Sequence, residues 1–207
     1  MMKSDEIVVP QVAQSTNSVD KGVLRQALKQ QRLKLTPTET KENDGKLGEI
    51  LTDLLMSIQP SYLAVYWPLV GEPDLRPYWD SWLSNGWQIC LPEARQGIAL
   101  SFRKWSPSTE MTTDDYQIPI PAIAEYVLPD CLILPSLGCT ERDHQYFRLG
   151  YGGGFYDRTL ALPGCAVATT FSTIAVTYEQ FAQLDFEPEP HDLPVKFIVT
   201  ERMCYES

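Results

Sequence analysis

A chain of 207 residues is long enough to bury a core without disulfides or metals, and one domain is the expectation at that length. Its formal net charge of −10 argues against a nucleic-acid partner, which calls for a basic face, so an anionic substrate has to be gathered by local cations. Cys90, Cys131, Cys139, Cys165 and Cys204 are odd in number and show no metal or redox spacing, no apolar run is long enough to span a membrane, and no signal core opens the chain; the expectation is reduced thiols, a cytoplasmic protein and no membrane partner.

Residues 1–19, rich in Ser, Gln, Asn and Val without periodicity, are expected to form a mobile tail, and 20–207 a single domain. Asp20 caps a helix that the stripe Leu24, Ala27, Leu28 and Leu35 carries to about 35. Lys21 and Arg25 lie four apart on one face, which by spacing alone is a solvated basic face. Thr36-Pro37-Thr38-Glu39 reads as a capping box with proline at the first helical position. That second helix should reach Ile58, with Leu47, Ile50, Leu51, Leu54 and Leu55 inward and Gly45 and Gly48 weakening its first half. The aromatic and β-branched run 62–67 predicts a buried strand ended by Pro68. Asp74 caps a third helix over 75–83. Between them, Glu72 by itself is a solvated loop carboxylate, although loops after strand C-termini are where open α/β sheets bind ligands. Strands are expected at 87–91, at 98–102 as an edge, and at 131–134 as a continuous apolar central strand. The proline- and threonine-rich 106–126 reads as a long surface connection.

Arg148-Leu149-Gly150-Tyr151-Gly152-Gly153-Gly154-Phe155-Tyr156-Asp157-Arg158 is the most informative stretch. Its glycines permit φ > 0 and close approach to a ligand, and a helix can start at Phe155 and run to Leu160, before Pro163. A glycine turn feeding a helix N-terminus cradles an anion such as phosphate. Asp157 would repel phosphate unless a Mg²⁺ bridges them, which suits hard oxygen ligands. The bland alternative is a flexible turn with a solvated Asp and two surface arginines. Neither a P-loop nor the dinucleotide fingerprint is matched. Beyond it, 166–171 and 173–178 are strand-like, Glu187, Glu189 and Asp192 look like a solvated acidic turn, and 197–200 is a last strand.

The eleven-residue stretch resembles the signature of the 5-formyltetrahydrofolate cyclo-ligase family, the 5,10-methenyltetrahydrofolate synthetases. The likeness extends to Lys21…Arg25, to Tyr66-Trp67-Pro68 with Glu72-Pro73-Asp74, to His191-Asp192 and to Thr200-Glu201. Three departures stand beside it: Ile120 replaces an acid between prolines, 139–147 is long and lacks a Phe-Asp pair, and Lys196 replaces a second Asp.

Alternating helices and buried strands predict an α/β fold, a single-domain three-layer sandwich with a largely parallel sheet flanked by helices, and the family's fold is of that type. The resemblance implies ATP- and Mg²⁺-dependent cyclisation of 5-formyltetrahydrofolate to 5,10-methenyltetrahydrofolate, with release of ADP and phosphate, through an iminium phosphate. By the match, Lys21, Arg25, Arg148, Leu149, Gly150, Tyr151, Gly152, Gly153, Gly154, Phe155 and Tyr156 bind ATP, with Arg148 catalytic. Trp67 and Glu72 face the pterin, Tyr151 to Phe155 border the reacting end of the folate, and Asp157 and Asp192 hold Mg²⁺. The expected partners are reduced folate and ATP, acting on a monomer. Two alternatives remain: a divergent homologue that binds folate or nucleotide without catalysis, and an enzyme of another class that uses the same cradle for a sugar phosphate.

Overall fold

The computed structural model describes residues 20–162 and 171–207. The expected tail at 1–19 and nearly all of the expected strand at 166–171 lie outside them.

Helix α1 (Lys21–Arg32) begins where Asp20 accepts from the Gly22 and Val23 amides, and it stops three residues short of the expected end. The stop has a local cause. Thr36 precedes Pro37 and is held extended (φ −70°, ψ 155°), so the chain must leave the helix before it. Thr36 then caps α2 (Pro37–Ile58) with the reciprocal Glu39 contact that the sequence predicts. Strand β1 (Tyr62–Ala64) is shorter than its apolar run, because the chain leaves the sheet after Val65 to build a loop. The expected third helix is split into a 3₁₀ turn at Arg76–Tyr78 and α3 (Trp79–Ser84).

The remaining strands are β2 (Gln88–Glu93), β3 (Ser101–Trp105), β4 (Met111–Thr113), β5 (Pro119–Pro121), β6 (Tyr126–Val127), β7 (Cys131–Pro135), β8 (Gly138–Arg142) and β9 (Gln145–Leu149). After α4 (Phe155–Leu160) come β10 (Ser172–Val176), β11 (Phe197–Val199) and β12 (Cys204–Glu206). Eight strands form one sheet in the order β12-β11-β10-β7-β1-β2-β3-β6. The run from β11 to β2 is parallel, and β12, β3 and β6 are antiparallel additions at the two margins. The α/β class and largely parallel sheet read from the sequence are therefore what the chain forms.

The pleat sorts the core. Leu63, Ile89, Leu91, Ile133, Ile174 and Val199 point to one face, against Leu47, Leu51 and Leu55 of α2 and Trp79 and Trp82 of α3. Ala64, Cys90, Leu132, Leu134, Ala175 and Ile198 point to the other, against Leu160 of α4 and Cys139 of β8. Cys90, Cys131, Cys139 and Cys204 are free thiols, and burial pushes the Cys139 thiol up to about 12.

Three expectations change. Strand β3 is displaced from 98–102, leaving Ile98 half exposed in a turn, and it lies inside the sheet because β6 pairs beyond it. The connection 106–126 is not plain surface loop but holds the β4–β5 hairpin and runs into the start of β6. The segment 139–147 is not an open loop either. It makes the β8–β9 hairpin, whose two turn residues, Asp143 and His144, both have positive φ (52° and 62°). That is the type I′ geometry that matches strand twist, and Asp-His in place of Asn-Gly hides it from sequence inspection.

Strand order reverses between β1 and β7: the chain moves from β1 outward to β2, and from β7 the opposite way to β10. The loops leaving those neighbours diverge and open a crevice at the strand C-termini.

Candidate active site

A cavity of about 470 Å³ occupies that crevice. Tyr66, Trp67, Leu69 and Glu72 line it from the loop after β1, and 148–157 line it from β9, the glycine turn and α4. Every residue that the sequence assigns to the site lies in this lining except Lys21.

The glycine turn is shaped by backbone freedom and by two arginines. Gly152 and Gly154 have φ of +100° and +63°, which side chains resist. Arg158 donates from Nη2 to the Gly153 carbonyl at 2.9 Å, and Arg25 donates from Nε to the Gly150 carbonyl at 2.9 Å. Two cations thus hold carbonyls of the turn, Arg25 from within the cavity lining and Arg158 from beyond it, and the sequence reading of Arg158 as a merely surface group is incomplete.

Arg148 is buried, and its Nη2 donates to both Asp157 oxygens at 3.1 Å. The Tyr156 ring covers the guanidinium at 5.2 Å. Arg148 and Asp157 therefore neutralise each other here. The Arg148 Nε is buried without a hydrogen-bond partner, an arrangement that folded proteins rarely leave unused.

Glu72 is 6 % exposed, not the solvated carboxylate that charge alone suggests. Burial drives its pKa up, while the Leu69 amide at 2.7 Å, the Tyr151 hydroxyl and the Arg32 charge oppose that rise, and the net direction is upward. Trp67 stands beside it, edge-on to Trp79 at 6.0 Å and capped by the Arg76 guanidinium at 5.0 Å. The result is a carboxylate acceptor beside an aromatic wall, suited to a flat heterocycle with N–H groups. Burial above all, then Glu72, pushes Tyr151 far up, and burial does the same to Tyr156, so both phenols keep their protons.

Lys21 does not reach the cavity lining. Its ammonium is bound to Asp192 and, at 3.3 Å, to Glu189. Burial alone would raise the Asp192 carboxyl, but the Lys21 hydrogen bond, the Glu189 amide and the nearby positive charges hold it below the usual range. Among the described residues, Glu189, His191 and Asp192 offer ligand atoms within 4.8 Å of one another. Asp192 and His191 line the cavity, with the Asp157 carboxylate in the same lining.

Several lining groups escape sequence reasoning. Asp114 accepts from the Tyr116, Ile118 and Ala94 amides at 2.8, 3.0 and 3.1 Å, and so folds the β4–β5 hairpin tip over the site. This sets Tyr116 edge-on to Phe155 at 5.2 Å. An aspartate two residues before an aromatic in a turn is the available signal, but nothing local says that the turn reaches the crevice. The three departures lie elsewhere. Ile120 is buried in β5, Lys196 is exposed with its ammonium over Phe197, and the β8–β9 turn points to solvent; none lines the cavity.

Comparison with known proteins agrees with this architecture. The sequence profile of the 5-formyltetrahydrofolate cyclo-ligase family matches residues 17–201. The chain is 30 % identical over 196 residues to a 5-formyltetrahydrofolate cyclo-ligase of Mycolicibacterium smegmatis, covering 88 % of this chain and 94 % of that protein. It is 29 % identical over 192 residues to the Escherichia coli protein of the same name, covering 86 % and 99 %. Among solved structures, the 5,10-methenyltetrahydrofolate synthetase of Aquifex aeolicus superposes with a TM-score of 0.74 at 25 % identity over 90 % of this chain and 92 % of that one. The Mycoplasma pneumoniae 5,10-methenyltetrahydrofolate synthetase gives 0.69 at 23 % identity over 88 % and 99 %, which concerns the fold.

Proposed function

The chain belongs to the 5-formyltetrahydrofolate cyclo-ligase family, and we propose that in the switch-point cavity it closes 5-formyltetrahydrofolate to 5,10-methenyltetrahydrofolate at the expense of ATP, with Mg²⁺. The observation that carries this reading is the pairing of two unlike walls in one cavity: Trp67 and Glu72 on one side, the arginine-held glycine turn on the other.

A formamide carbonyl is a poor electrophile and its oxygen a poor leaving group. Attack of that oxygen on the γ-phosphorus expels ADP and yields an iminium phosphate. Attack by N10, loss of its proton and departure of phosphate complete the ring. Phosphoryl transfer asks the protein for positioning and charge neutralisation more than for covalent help. Backbone amides of Gly150 to Gly154 take phosphate oxygens, Arg25 faces the developing charge, and Arg148 joins it when Asp157 turns from it to the ion. Glu72 accepts from pterin N–H groups, Trp67 covers the ring, and the protonated Tyr151 and Phe155 border the reacting end.

The donor set fits a hard divalent ion: Asp192 is held ionised and Asp157 lies in the same lining. Asp157 and Asp192 would hold the ion, which supplies charge neutralisation for the polyphosphate when bound. Lys21 serves by fixing Asp192 rather than by touching phosphate. We further take the protein to work as a cytoplasmic monomer on two small molecules.

Mixing the protein with 5-formyltetrahydrofolate, ATP and Mg²⁺ should produce the near-ultraviolet absorbance of the methenyl product, dependent on each component. A flat trace from folded protein that still binds folate would leave a binding homologue as the better reading.

A further inference from the structure

Arg32 lies outside every contact proposed above, yet it is a cation only 3 % exposed at the ligand end of the sheet. A guanidinium is taken from water at a cost unless its donors are matched. Its Nη1 donates to the Gly71 carbonyl at 3.0 Å, and its Nη2 donates to the Ser136 carbonyl and, at 2.9 Å, to the Thr177 hydroxyl, while its Nε is buried without a partner. Those acceptors stand on the loops after β1, β7 and β10, which are adjacent in the sheet. One planar fork therefore ties together three loops, with a fixed geometry that a lysine's compact point charge lacks.

The ties lead into both walls of the cavity. Gly71 has φ of +84°, and a Cβ there would come within 3.3 Å of the Arg32 Cβ, so the loop lies directly on α1. Its neighbour Glu72 closes the turn by accepting from the Leu69 amide. Ser136 is followed by Leu137, whose amide bonds the Leu149 carbonyl at 2.8 Å, one residue before the glycine turn. The Tyr178 and Phe181 rings cover the guanidinium at 5.8 and 5.3 Å, which keeps water from it.

All three acceptors are neutral, so the charge of Arg32 is not cancelled by a bonded carboxylate. Glu72 directly follows the Gly71 carbonyl that Arg32 holds, and the positive charge there opposes the burial that lifts the Glu72 carboxyl. Around that carboxyl stand the Leu69 amide, Tyr151 from the glycine turn, Tyr66 after β1, Tyr156 from α4, and Arg32 as the cation. We propose that Arg32 is a positioning residue of this site: its fork aligns the Glu72 turn with the glycine turn, and its charge favours the Glu72 carboxylate that receives the pterin. This rests on the reading of Glu72 as the folate acceptor.

The sign is defined. Burial lifts the Glu72 pKa and Arg32 lowers it, so removing the positive charge lets the neutral acid persist to higher pH. The probe is 5-formyltetrahydrofolate alone, titrated against intrinsic tryptophan fluorescence across the acid range, with wild type, Arg32→Lys, Arg32→Met and Glu72→Gln. Arg32→Met should move the acid limb of folate affinity upward by about half a pH unit or more. Arg32→Lys keeps the charge and should leave the limb in place, while losing about three- to tenfold in plateau affinity with the fork. If Arg32→Met fails to fold, Arg32→Lys decides: wild-type plateau affinity overturns the proposal and the stated loss supports it. Glu72→Gln separates the two ideas. If it keeps the wild-type limb and plateau, the Glu72 assignment fails. If it removes the limb while both Arg32 variants superimpose on wild type, that assignment stands and the role given to Arg32 fails.

Discussion

Gly154→Ala isolates the backbone requirement of the glycine turn, because the substitution adds one methyl group and no charge. Gly154 caps α4 with φ of +63° and ψ of 12°. An alanine in the left-handed region costs about 1–2 kcal/mol. Losing glycine's extra freedom in the unfolded chain returns about 0.4–1 kcal/mol. The net is a destabilisation of up to about 1.5 kcal/mol, or at most roughly 6 °C in Tm at this chain length. The new Cβ would also stand 2.8 Å from the Arg158 Nη1, so Arg158 must give ground and its bond to the Gly153 carbonyl weakens. A displacement of about 1 Å in a positioning group can cost about 10²-fold in rate, so kcat/KM for ATP, followed by methenyl absorbance, should drop on that scale. Gly45→Ala is the control. It lies inside α2 with nothing within 4 Å of an added Cβ. It should raise stability by about 0.5–1 kcal/mol and leave turnover alone. Opposite signs from one substitution type are the test. A Gly154→Ala enzyme with wild-type kcat/KM and an unchanged or higher Tm would refute the argument that this turn needs left-handed backbone.

Gly48→Ala should destabilise by about 1–3 kcal/mol in chemical denaturation, since its Cβ would run into the Tyr78 ring that lies on α2; an unchanged midpoint would show that Tyr78 swings away freely. Asp157→Ala should abolish Mg²⁺-dependent turnover and also lower Tm, because it leaves the buried Arg148 without its partner; an active variant would remove Asp157 from the chemistry. Lys21→Met tests linkage at Asp192. That carboxyl is depressed in the folded state, so its stabilisation is present at neutral pH and disappears as pH falls through the folded value, below the ordinary range. The variant should lose about 1 kcal/mol or less at neutral pH and converge with wild type only in strong acid; a gap that is independent of pH would contradict the pairing.

The elements that sequence reasoning located well are those whose cause is local. The capping box at Thr36 and Glu39 needs only a few residues of α2 to act, and the unbroken apolar run at Cys131 marks a strand buried on both faces. The glycine turn and the start of α4 at Phe155 are likewise written in the order of residues, since backbone freedom travels with glycine. What the order of residues leaves open depends on partners far along the chain. Ile98 and Ser101–Trp105 offer competing strand registers, and pairing with β2 and β6 decides between them. Asp143-His144 becomes a hairpin turn because β8 and β9 pair on either side of it. Lys21 and Arg25 share a face of α1, yet one reaches Asp192 and the other Gly150, a division made by the loops that meet the helix. Arg32 is a polar residue on a surface-like helix until three strand ends converge on it. Local signals come from interactions over three or four residues, whereas burial and charge pairing come from the sheet's strand order, so the sequence by itself determined the elements and the signature turn, and the tertiary structure decided which cations stand free, which are spent, and which walls face each other across the cavity.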